Sequence, residues 1–227
     1  ALVPWGDEAL VFLSHEGPST EIWRTDGSSE GTNLALAAAP GVKRVPFTPL
    51  GSGFLVLTID SQVGLSYFDP VTGTAVDLPS YSSARWPQNP AIVGTSAYFT
   101  AVSYPDPTEI WRSDGTDAGT VRLSSIPAEH EFASSFFELD GSALFAIYHW
   151  ETGLQLWTSD GTVPGTVELR NFPSAWYGPT SFGRIDAQAL FAVHAFDSAT
   201  GHHDSELWET DGTTQGTRLL GSLQRGD

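Results

Sequence analysis

A short sequence pattern that occurs four times constrains the fold of this chain more than any other feature. Each copy reads Glu/Gln-Ile/Leu-Trp-x-Ser/Thr-Asp-Gly and continues to a Gly-Thr pair. A fifth, degenerate copy runs from Leu65 to Pro70 and ends at Gly73-Thr74. The threonines that close the copies are separated by 42, 46, 46 and 51 residues, and joining the two ends of the chain gives a further 42. This period predicts a repeat architecture, and we expect five units that close into a ring. The closing threonines are Thr32, Thr74, Thr120, Thr166 and Thr217.

The amino-acid composition restricts the classes of molecule that this chain is expected to bind. With 27 acidic and 10 basic residues the net charge is −17, which repels phosphate backbones and anionic lipid surfaces and so disfavours nucleic acid and membranes. No apolar run approaches the ~18 residues of a membrane span, so no membrane insertion is expected. The chain lacks cysteine and methionine, which excludes disulfides and thiolate metal sites and fits an oxidising exterior. We therefore expect a monomer that is secreted or held at the cell surface.

Each unit reads as four short strands. A turn signal such as Asp140-Gly141 follows the first strand, and the second strand is a continuous apolar run such as Ala143 to Ile147. Continuous apolarity indicates that both faces of a sheet are covered. The predicted fold class is all-β, a five-bladed β-propeller with four antiparallel strands per blade. We expect one domain over residues 1–227, with blades contiguous in sequence at approximately 1–44, 45–88, 89–133, 134–178 and 179–227.

The repeated pattern, as it stands in residues 206–212 (ELWETDG), resembles the bacterial ELWxxDGT repeat. That repeat occurs in tandem in many predicted secreted or surface proteins, and its hairpin is similar to the Asp-box turn of other propellers. The resemblance covers essentially the whole chain and is specific in four units. It departs in the second, where the turn is two residues shorter and Tyr67 takes the tryptophan's place. The resemblance implies a bacterial five-bladed propeller and little about a ligand, because scaffold residues define the repeat.

The tryptophans and aspartates of the pattern are interpreted as scaffold. Buried aromatic side chains dominate core energetics, so we expect the tryptophans to pack between blades. Aspartate and Ser/Thr side chains bond backbone N–H groups in turns, so we expect each aspartate to complete its own turn. Calcium ligation is the alternative, although the oxygen spacing of an EF-hand is missing. The residues concerned are Trp23, Trp111, Trp157 and Trp208, with Asp26, Asp114, Asp160 and Asp211.

Function is expected where the units differ, in the loops after the second strands and in the links between blades. The links are predicted at 43–44, 85–86, 129–132 and 176–177. Aromatic rings stack on the C–H faces of sugars, and carboxylates accept hydrogen bonds from sugar hydroxyls. Aromatic residues beside acids therefore predict a carbohydrate site, with the alternative that each ring packs beneath a proline-rich loop. The predicted ligand-binding residues are Trp86, Trp150, Glu151, Trp176, Tyr177 and His130.

Two further sets of residues contain side chains that could bind a metal cation. His202, His203 and Asp204 have side chains that bind zinc or copper, but their spacing matches no metal motif, and a solvated loop is favoured. One acid recurs near the end of every second strand, and five such carboxylates would either form a negative ring that holds a cation or lie as exposed rim charges. We expect no cofactor, with Ca²⁺ as the alternative. The recurring acids are Glu16, Asp60, Asp106, Glu151 and Asp197.

Catalysis is not expected. Glycoside hydrolysis needs two carboxylates, whereas the predicted first strands supply one, Glu138, and one arginine, Arg184. The sequence also lacks a nucleophile elbow, a phosphate loop and an HExxH motif. We predict a non-enzymatic extracellular recognition module, lectin-like, whose partner is a carbohydrate or a surface protein. The alternatives are a protein-interaction or structural platform of a cell-surface assembly, and a cation-binding or glycosidase-like propeller.

Overall fold

The fold is built from β-strands alone in the part of the chain that the structure describes. The computed structural model describes residues 1–14, 19–37, 39–81, 85–102, 108–126, 131–133, 136–149, 151–173, 175–177, 179, 182–197 and 202–223. In these ranges the strands form five antiparallel sheets, one for each sequence repeat. The same ranges contain no helix with the length and apolarity of a membrane span. The predicted fold class, an all-β five-bladed β-propeller with four antiparallel strands per blade, is confirmed. We call each sheet a blade.

The first three blades each consist of four strands that pair in chain order. Blade 1 contains β1 (Leu2–Trp5), β2 (Glu8–Ser14), β3 (Thr20–Thr25) and β4 (Asn33–Leu36). Blade 2 contains β5 (Lys43–Leu50), β6 (Gly53–Ile59), β7 (Val63–Asp69) and β8 (Thr74–Asp77). Blade 3 contains β9 (Trp86–Val93), β10 (Ser96–Val102), β11 (Thr108–Ser113) and β12 (Val121–Ile126).

In the last two blades the first strand is interrupted, and its two halves pair with the same second strand. Blade 4 contains β13 (Glu131–Ala133), β14 (Phe137–Leu139), β15 (Ser142–His149), β16 (Gly153–Ser159) and β17 (Thr166–Phe172). Blade 5 contains β18 (Ala175–Tyr177), β19 (Phe182–Ile185), β20 (Gln188–Asp197), β21 (His202–Thr210) and β22 (Arg218–Leu223).

Most residues that were predicted as links between blades lie in first strands instead. β5 begins at Lys43 and β9 at Trp86, while 131–132 lie in β13 and 176–177 lie in β18. The second strands explain this, because they extend beyond their apolar centres and offer hydrogen-bond partners to the preceding residues; Lys43, for example, pairs with Ile59. The prediction followed hydrophobicity, whereas the length of a strand follows backbone pairing.

The contacts of the chain divide it into two compact units. One contains residues 1–86, 95–97 and 112–121, and the other contains 87–94, 98–111 and 122–227, so that the boundary passes through blade 3. In the first unit, Phe12 of blade 1 and Phe54 of blade 2 belong to one buried cluster. In the second unit, Phe172 of blade 4 packs edge-on against Trp208 of blade 5, with ring centroids 5.0 Å apart.

The second strands of blades 2, 3 and 4 are buried through their apolar centres, as their continuous apolarity predicts. The same prediction is wrong for β2 and β20, where buried residues alternate with more exposed ones such as Leu13 and Ala192, so that one face is less covered. In β10, all six residues from Ser96 to Ala101 are buried, which requires cover on both faces because successive side chains point to opposite sides of a sheet. β6 has five consecutive buried residues from Gly53 to Leu57. These central strands carry the cores of their blades and position the ends of the strands, where the sequence varies.

Trp111 and Trp208 are packing residues, as predicted, and both are buried. A glutamate two positions earlier accepts a hydrogen bond from the indole N–H; the distance from Trp208 Nε1 to Glu206 is 2.9 Å. Residues i and i+2 of a strand lie on one face, so the Glu-x-Trp pattern forms this bond locally. The same bond joins Trp23 to Glu21 at 3.0 Å and Trp111 to Glu109 at 2.9 Å.

The aspartate of each complete motif hydrogen-bonds within its own turn, as predicted. In blade 4, Asp160 Oδ1 accepts from the amide of Thr162 at 2.8 Å and from its hydroxyl at 2.7 Å. The same hydroxyl accepts from the amide of Gly165 at 3.0 Å. These bonds, that from the Thr162 hydroxyl foremost, hold the pKa of Asp160 below its ordinary value. The corresponding turns contain Asp26, Asp114 and Asp211.

The glycine that precedes the closing threonine of the motif, such as Gly165, cannot be replaced without a clash, because the motif aspartate lies against it. A Cβ atom at Gly165 would overlap the carboxylate of Asp160, and the same overlap would occur in the other three complete motifs. The carboxylate therefore occupies the space that a side chain would need. The aspartate, the hydroxyl residue two positions later and this glycine form one packed turn, which explains their fixed spacing.

Candidate functional site

The structure describes the side chains of two predicted ligand-binding residues, Trp86 and Glu151. Trp86 is 48% exposed and belongs to the first compact unit; Glu151 is exposed and belongs to the second. Trp150 and His130 lie outside the described residues. Trp176 and Tyr177 lie in β18, but their side chains are outside the description.

The residues predicted as a solvated loop in blade 5 form part of a strand instead. His202, His203 and Asp204 lie in β21 and pair with residues 195–197 of β20, because this hairpin continues beyond its apolar centre. Their side chains are outside the description, as is that of Asp197, and Glu16 and Asp106 lie outside the described residues. Among the described side chains, no group of three or more His, Asp or Glu is placed to hold a metal ion.

Glu138 and Arg184, the residues weighed above for glycoside hydrolysis, form hydrogen bonds within turns of the second unit. Glu138 Oε1 accepts from the amide of Gly141 at 3.1 Å. Arg184 pairs with Asp140 and donates through Nε to the carbonyl of Asp186 at 3.0 Å. Both side chains therefore stabilise the turns between first and second strands.

A cleft of about 260 Å³ lies at the end of blade 2 where β6 connects to β7 and where the chain leaves β8. We call this end of the blade, which carries the variable loop, the loop end. Two carboxylates, those of Asp60 and Asp77, line the cleft together with Thr58 and Tyr81. None of the described lining residues is basic, so the cleft presents hydrogen-bond acceptors and negative charge.

A buried hydroxyl holds Asp77 in the wall of this cleft. Ser66 of β7 is fully buried and lies directly opposite Asp77 of β8. The Ser66 hydroxyl donates to Asp77 Oδ1 at 2.7 Å and lies 2.5 Å from the hydroxyl of Thr58 on β6. The other carboxylate oxygen, Oδ2, has no hydrogen bond to the described part of the chain, so it is available to a bound molecule.

This hydroxyl chain is specific to blade 2. The other blades have an aliphatic residue at the position of Ser66, and Ile22, Ile110 and Leu156 there are fully buried. In blades 1, 4 and 5 the register between the last two strands shifts beside the motif tryptophan, whereas β7 and β8 pair without a shift. The shorter turn of blade 2 thus gives regular pairing, and this pairing brings Asp77 opposite Ser66.

Asp60 occupies the loop on the other side of the cleft. Its Oδ1 accepts from the amide of Gln62 at 2.9 Å and from the hydroxyl of Ser61 at 3.2 Å. These hydrogen bonds, that from the Gln62 amide foremost, hold the pKa of Asp60 below its ordinary value. Asp60 is therefore an ionised acceptor at neutral pH.

Tyr81 connects the cleft to Trp86. Its ring is buried with 2% exposure, and its hydroxyl donates to the carbonyl of Arg85 at 3.0 Å. This bond fixes the backbone immediately before Trp86, whose ring is half exposed. The lining of the cleft is therefore hydrogen-bonded to the residue before an exposed indole, and all of these groups belong to the first unit.

A larger cleft, of about 420 Å³, lies at the opposite, turn-bearing ends of blades 1 and 2. Some of its charged groups are already paired: Arg24 donates to Glu8 at 2.9 Å, and Asp26 bonds within its motif turn. Leu34 and Val71 line the same cleft and are 46% and 67% exposed. Exposed apolar side chains therefore lie beside charged groups in this cleft.

No protein-family model and no curated protein matches this sequence. Among solved structures, the chain is similar to an acylaminoacyl peptidase from Pyrococcus horikoshii, with 12% identity, a TM-score of 0.51 and coverage of 92% of this chain and 32% of that one. It is also similar to a putative 6-phosphogluconolactonase from Bacteroides uniformis, with 12% identity, a TM-score of 0.48 and coverage of 98% and 69%. The chain spans 29% of the prolyl endopeptidase and 32% of the puromycin hydrolase that it also matches. At such identities the likeness to the peptidase concerns the fold alone.

Trp86 and Asp60 were predicted from the sequence as candidate functional residues, whereas Ser66, Asp77 and Tyr81 were not. A signal for Ser66 was present, because a hydroxyl residue stands where the four complete motifs have isoleucine or leucine. A polar residue at a buried strand position calls for a hydrogen-bond partner. The partner could not be read from the sequence, because it depends on the register between β7 and β8.

Proposed function

We propose that this chain is a non-enzymatic recognition module that binds carbohydrate at the loop end of blade 2. The observation that carries the proposal is a cleft with two carboxylates, Asp60 and Asp77. Its lining residue Tyr81 is hydrogen-bonded to the residue before Trp86, whose indole is half exposed. An indole face packs on the C–H face of a pyranose, because it offers a large rigid apolar surface with little entropy to lose. Carboxylate oxygens accept hydrogen bonds from hydroxyls, and such charge-assisted bonds are among the stronger ones.

The charge of the cleft narrows the class of sugar. Two acids and no basic residue line its described walls, so a uronic acid or a sulfated sugar would meet like charge there. Neutral hexoses satisfy the acceptors through their hydroxyls, and amino sugars add an attractive charge. The module is therefore specific for neutral or amino-sugar oligosaccharides.

The electrostatics of the cleft suit binding better than hydrolysis. A glycosidase general acid needs a carboxyl whose pKa is raised so that it carries a proton at working pH. The hydrogen bonds from the Gln62 amide and the Ser61 hydroxyl shift the pKa of Asp60 in the opposite direction. An ionised Asp60 accepts hydrogen bonds but does not protonate a leaving group.

The proposal includes a cellular location. The resemblance to the ELWxxDGT repeat and the absence of cysteine and methionine support a protein that is secreted or held at the bacterial cell surface, and we propose that it is a monomer. Ca²⁺ is not required at the cleft. The second candidate function is a protein-interaction platform of a surface assembly, which the exposed Leu34 and Val71 in the turn-end cleft favour.

The test is binding to cellohexaose, mannohexaose, the glucosamine hexamer and the galacturonic acid hexamer, measured by calorimetry with and without Ca²⁺. We expect binding to a neutral or amino sugar and no binding to the acid. Trp86→Ala and Asp77→Asn should each lower the affinity at least tenfold, which corresponds to about 1.4 kcal/mol. Val76→Ala, an exposed residue of β8, is the matched control and should bind like the wild type. Unchanged affinity in both cleft variants, or preference for the acidic hexamer, would overturn the proposal.

A further inference from the structure

We infer that Ser66, although it is buried and cannot touch a ligand, is the positioning residue that sets the hydrogen-bond specificity of the cleft. The inference rests on the proposed function and identifies how the same site chooses its ligand. Three observations carry it: the complete burial of Ser66, its bond to Asp77, and its proximity to the Thr58 hydroxyl.

The direction of the hydrogen bonds follows from the chemistry of the three groups. Ser66 donates its single hydroxyl hydrogen to Asp77 Oδ1. Ser66 therefore accepts from Thr58, and the Thr58 hydrogen is used as well. Thr58 and Asp77, at the two ends of this hydrogen-bond chain, both line the cleft, and the Thr58 hydroxyl oxygen and Asp77 Oδ2 are left as acceptors.

A pair of acceptors requires a ligand that donates at both positions. Two hydroxyls on neighbouring sugar carbons, or a hydroxyl beside an amino group, donate two hydrogens in this way. A methyl ether of the same sugar has the same shape but no hydrogen to donate, and it leaves the two acceptors desolvated and unpaired. The cleft therefore selects sugars with adjacent free hydroxyl or amino groups and rejects their O-methylated forms.

The other blades show that this serine is not needed for packing. The same strand position is aliphatic in every complete motif. Ile22, Ile110 and Leu156 there are fully buried, whereas Leu207 is 37% exposed. The neighbours of Ser66 on its face include Val56, directly opposite on β6, which is also fully buried. A hydroxyl in such surroundings costs free energy unless it is hydrogen-bonded, so a scaffold role alone would favour isoleucine or leucine.

The test compares Ser66→Ala with Ser66→Thr in the full chain. The probes are the hexasaccharides named above and their per-O-methylated derivatives. The alanine variant removes the donor to Asp77 and should weaken binding of the free sugar about tenfold, as expected for one hydrogen bond. The threonine variant keeps the hydroxyl and should stay within about twofold of the wild type. Discrimination against the O-methylated probe should fall in Ser66→Ala and persist in Ser66→Thr.

The possible outcomes separate the inference from the proposed function. If Trp86→Ala and Asp77→Asn lose binding while Ser66→Ala keeps both affinity and discrimination, the positioning role is wrong and the sugar site stands. If none of the variants changes binding, the proposed function fails first. Loss of affinity in Ser66→Thr equal to that in Ser66→Ala would indicate packing alone and would also overturn the inference. Thr58→Val gives a second route if Ser66→Ala does not fold, and it should reduce discrimination in the same direction.

Discussion

The indole nitrogen of Trp157 is buried and has no hydrogen-bond acceptor in the described part of the chain, and the residue two positions earlier on its strand is Gln155. In the other three complete motifs this position is glutamate, and each glutamate accepts from its tryptophan at 2.9 to 3.0 Å. A buried donor without an acceptor costs free energy relative to a satisfied one. Blade 4 therefore has an unsatisfied buried donor. The glutamates at the same position in the other complete motifs indicate which substitution would satisfy it.

Replacing Gln155 by glutamate should stabilise the protein. The carboxylate would accept from Trp157 Nε1 as its counterparts do, and Gln155 is only partly buried, so the new charge keeps part of its hydration. We expect a gain of about 1 kcal/mol in the free energy of unfolding, measured by chemical denaturation at pH 7. The matched control is Glu206→Gln, which should create the same defect beside Trp208 and lower stability by a similar amount. Equal stability of Gln155→Glu and the wild type would contradict this account of the motif glutamate.

Adding one methyl group at Gly165 should be costly. A Cβ there would overlap the Asp160 carboxylate, so the turn must open, at a cost of about 1–3 kcal/mol in unfolding free energy. Gly221→Ala in β22 meets no atom within 4 Å and should change stability by about 0.5 kcal/mol or less. The cause can be isolated with Asp160→Ala, which removes the overlapping group. The double variant should then be more stable than the sum of the two single effects predicts.

The motif aspartates should make stability depend on acid pH. The pKa of Asp160 is lowered by the Thr162 hydroxyl and amide, and that of Asp211 by the corresponding groups of Thr213. Because the pKa is lower in the folded state, the ionised aspartate stabilises the protein at pH values above its ordinary pKa of 3.8. This stabilisation is lost as the pH falls through the pKa of the folded state. Unfolding free energy measured from pH 6 to pH 2 should therefore fall below about pH 4.

An isosteric variant tests this linkage. Asp160→Asn keeps an oxygen acceptor for Thr162 but does not titrate. The difference in stability between wild type and variant should be largest near neutral pH and shrink as the pH falls below 3.8. A difference that stays constant across this range would show that the charge of Asp160 does not contribute.

The number of blades and the motif turns could be predicted from the sequence because the bonds that make them are local. Asp160 bonds Thr162 two residues away, and Glu206 accepts from Trp208 at the same separation, so every copy of the pattern carries its own turn. Register and strand ends are different. Trp86 was placed in a link, yet it begins β9, because pairing extends past the apolar centre of the second strand.

The candidate cleft could be predicted only in part. Trp86 stands out in sequence as an aromatic residue in a variable segment, and the structure exposes it. The contact between Ser66 and Asp77 depends on the unshifted register of β7 and β8, and this register follows from a turn two residues shorter than in the complete motifs. A departure from the repeat was visible in the sequence, but the pair of residues that it brings together was not.

The contact of the Arg170 guanidinium with the ring of Trp208, in the second unit, leads to the last prediction. The guanidinium carbon of Arg170, on β17 of blade 4, lies 4.3 Å from the ring centroid of Trp208 on blade 5 and 5.7 Å from that of Phe172. Such an arrangement contributes about 0.5–1 kcal/mol at an exposed site. Arg170→Gln keeps much of the aliphatic stem and should lower the unfolding free energy by this amount, while Arg170→Lys should lose less because the cation is retained.

The control must account for charge, because the chain carries −17 and the loss of any cation increases self-repulsion. Lys43→Gln removes an exposed cation from blade 2 and makes the same change in net charge. Denaturation at 0.15 M and 1 M salt separates the two effects, since screening weakens the general repulsion more than a contact over a ring. The excess loss in Arg170→Gln over Lys43→Gln should persist at 1 M salt. If the two variants are equally stable at both salt concentrations, the contact between Arg170 and Trp208 does not stabilise the packing of blades 4 and 5.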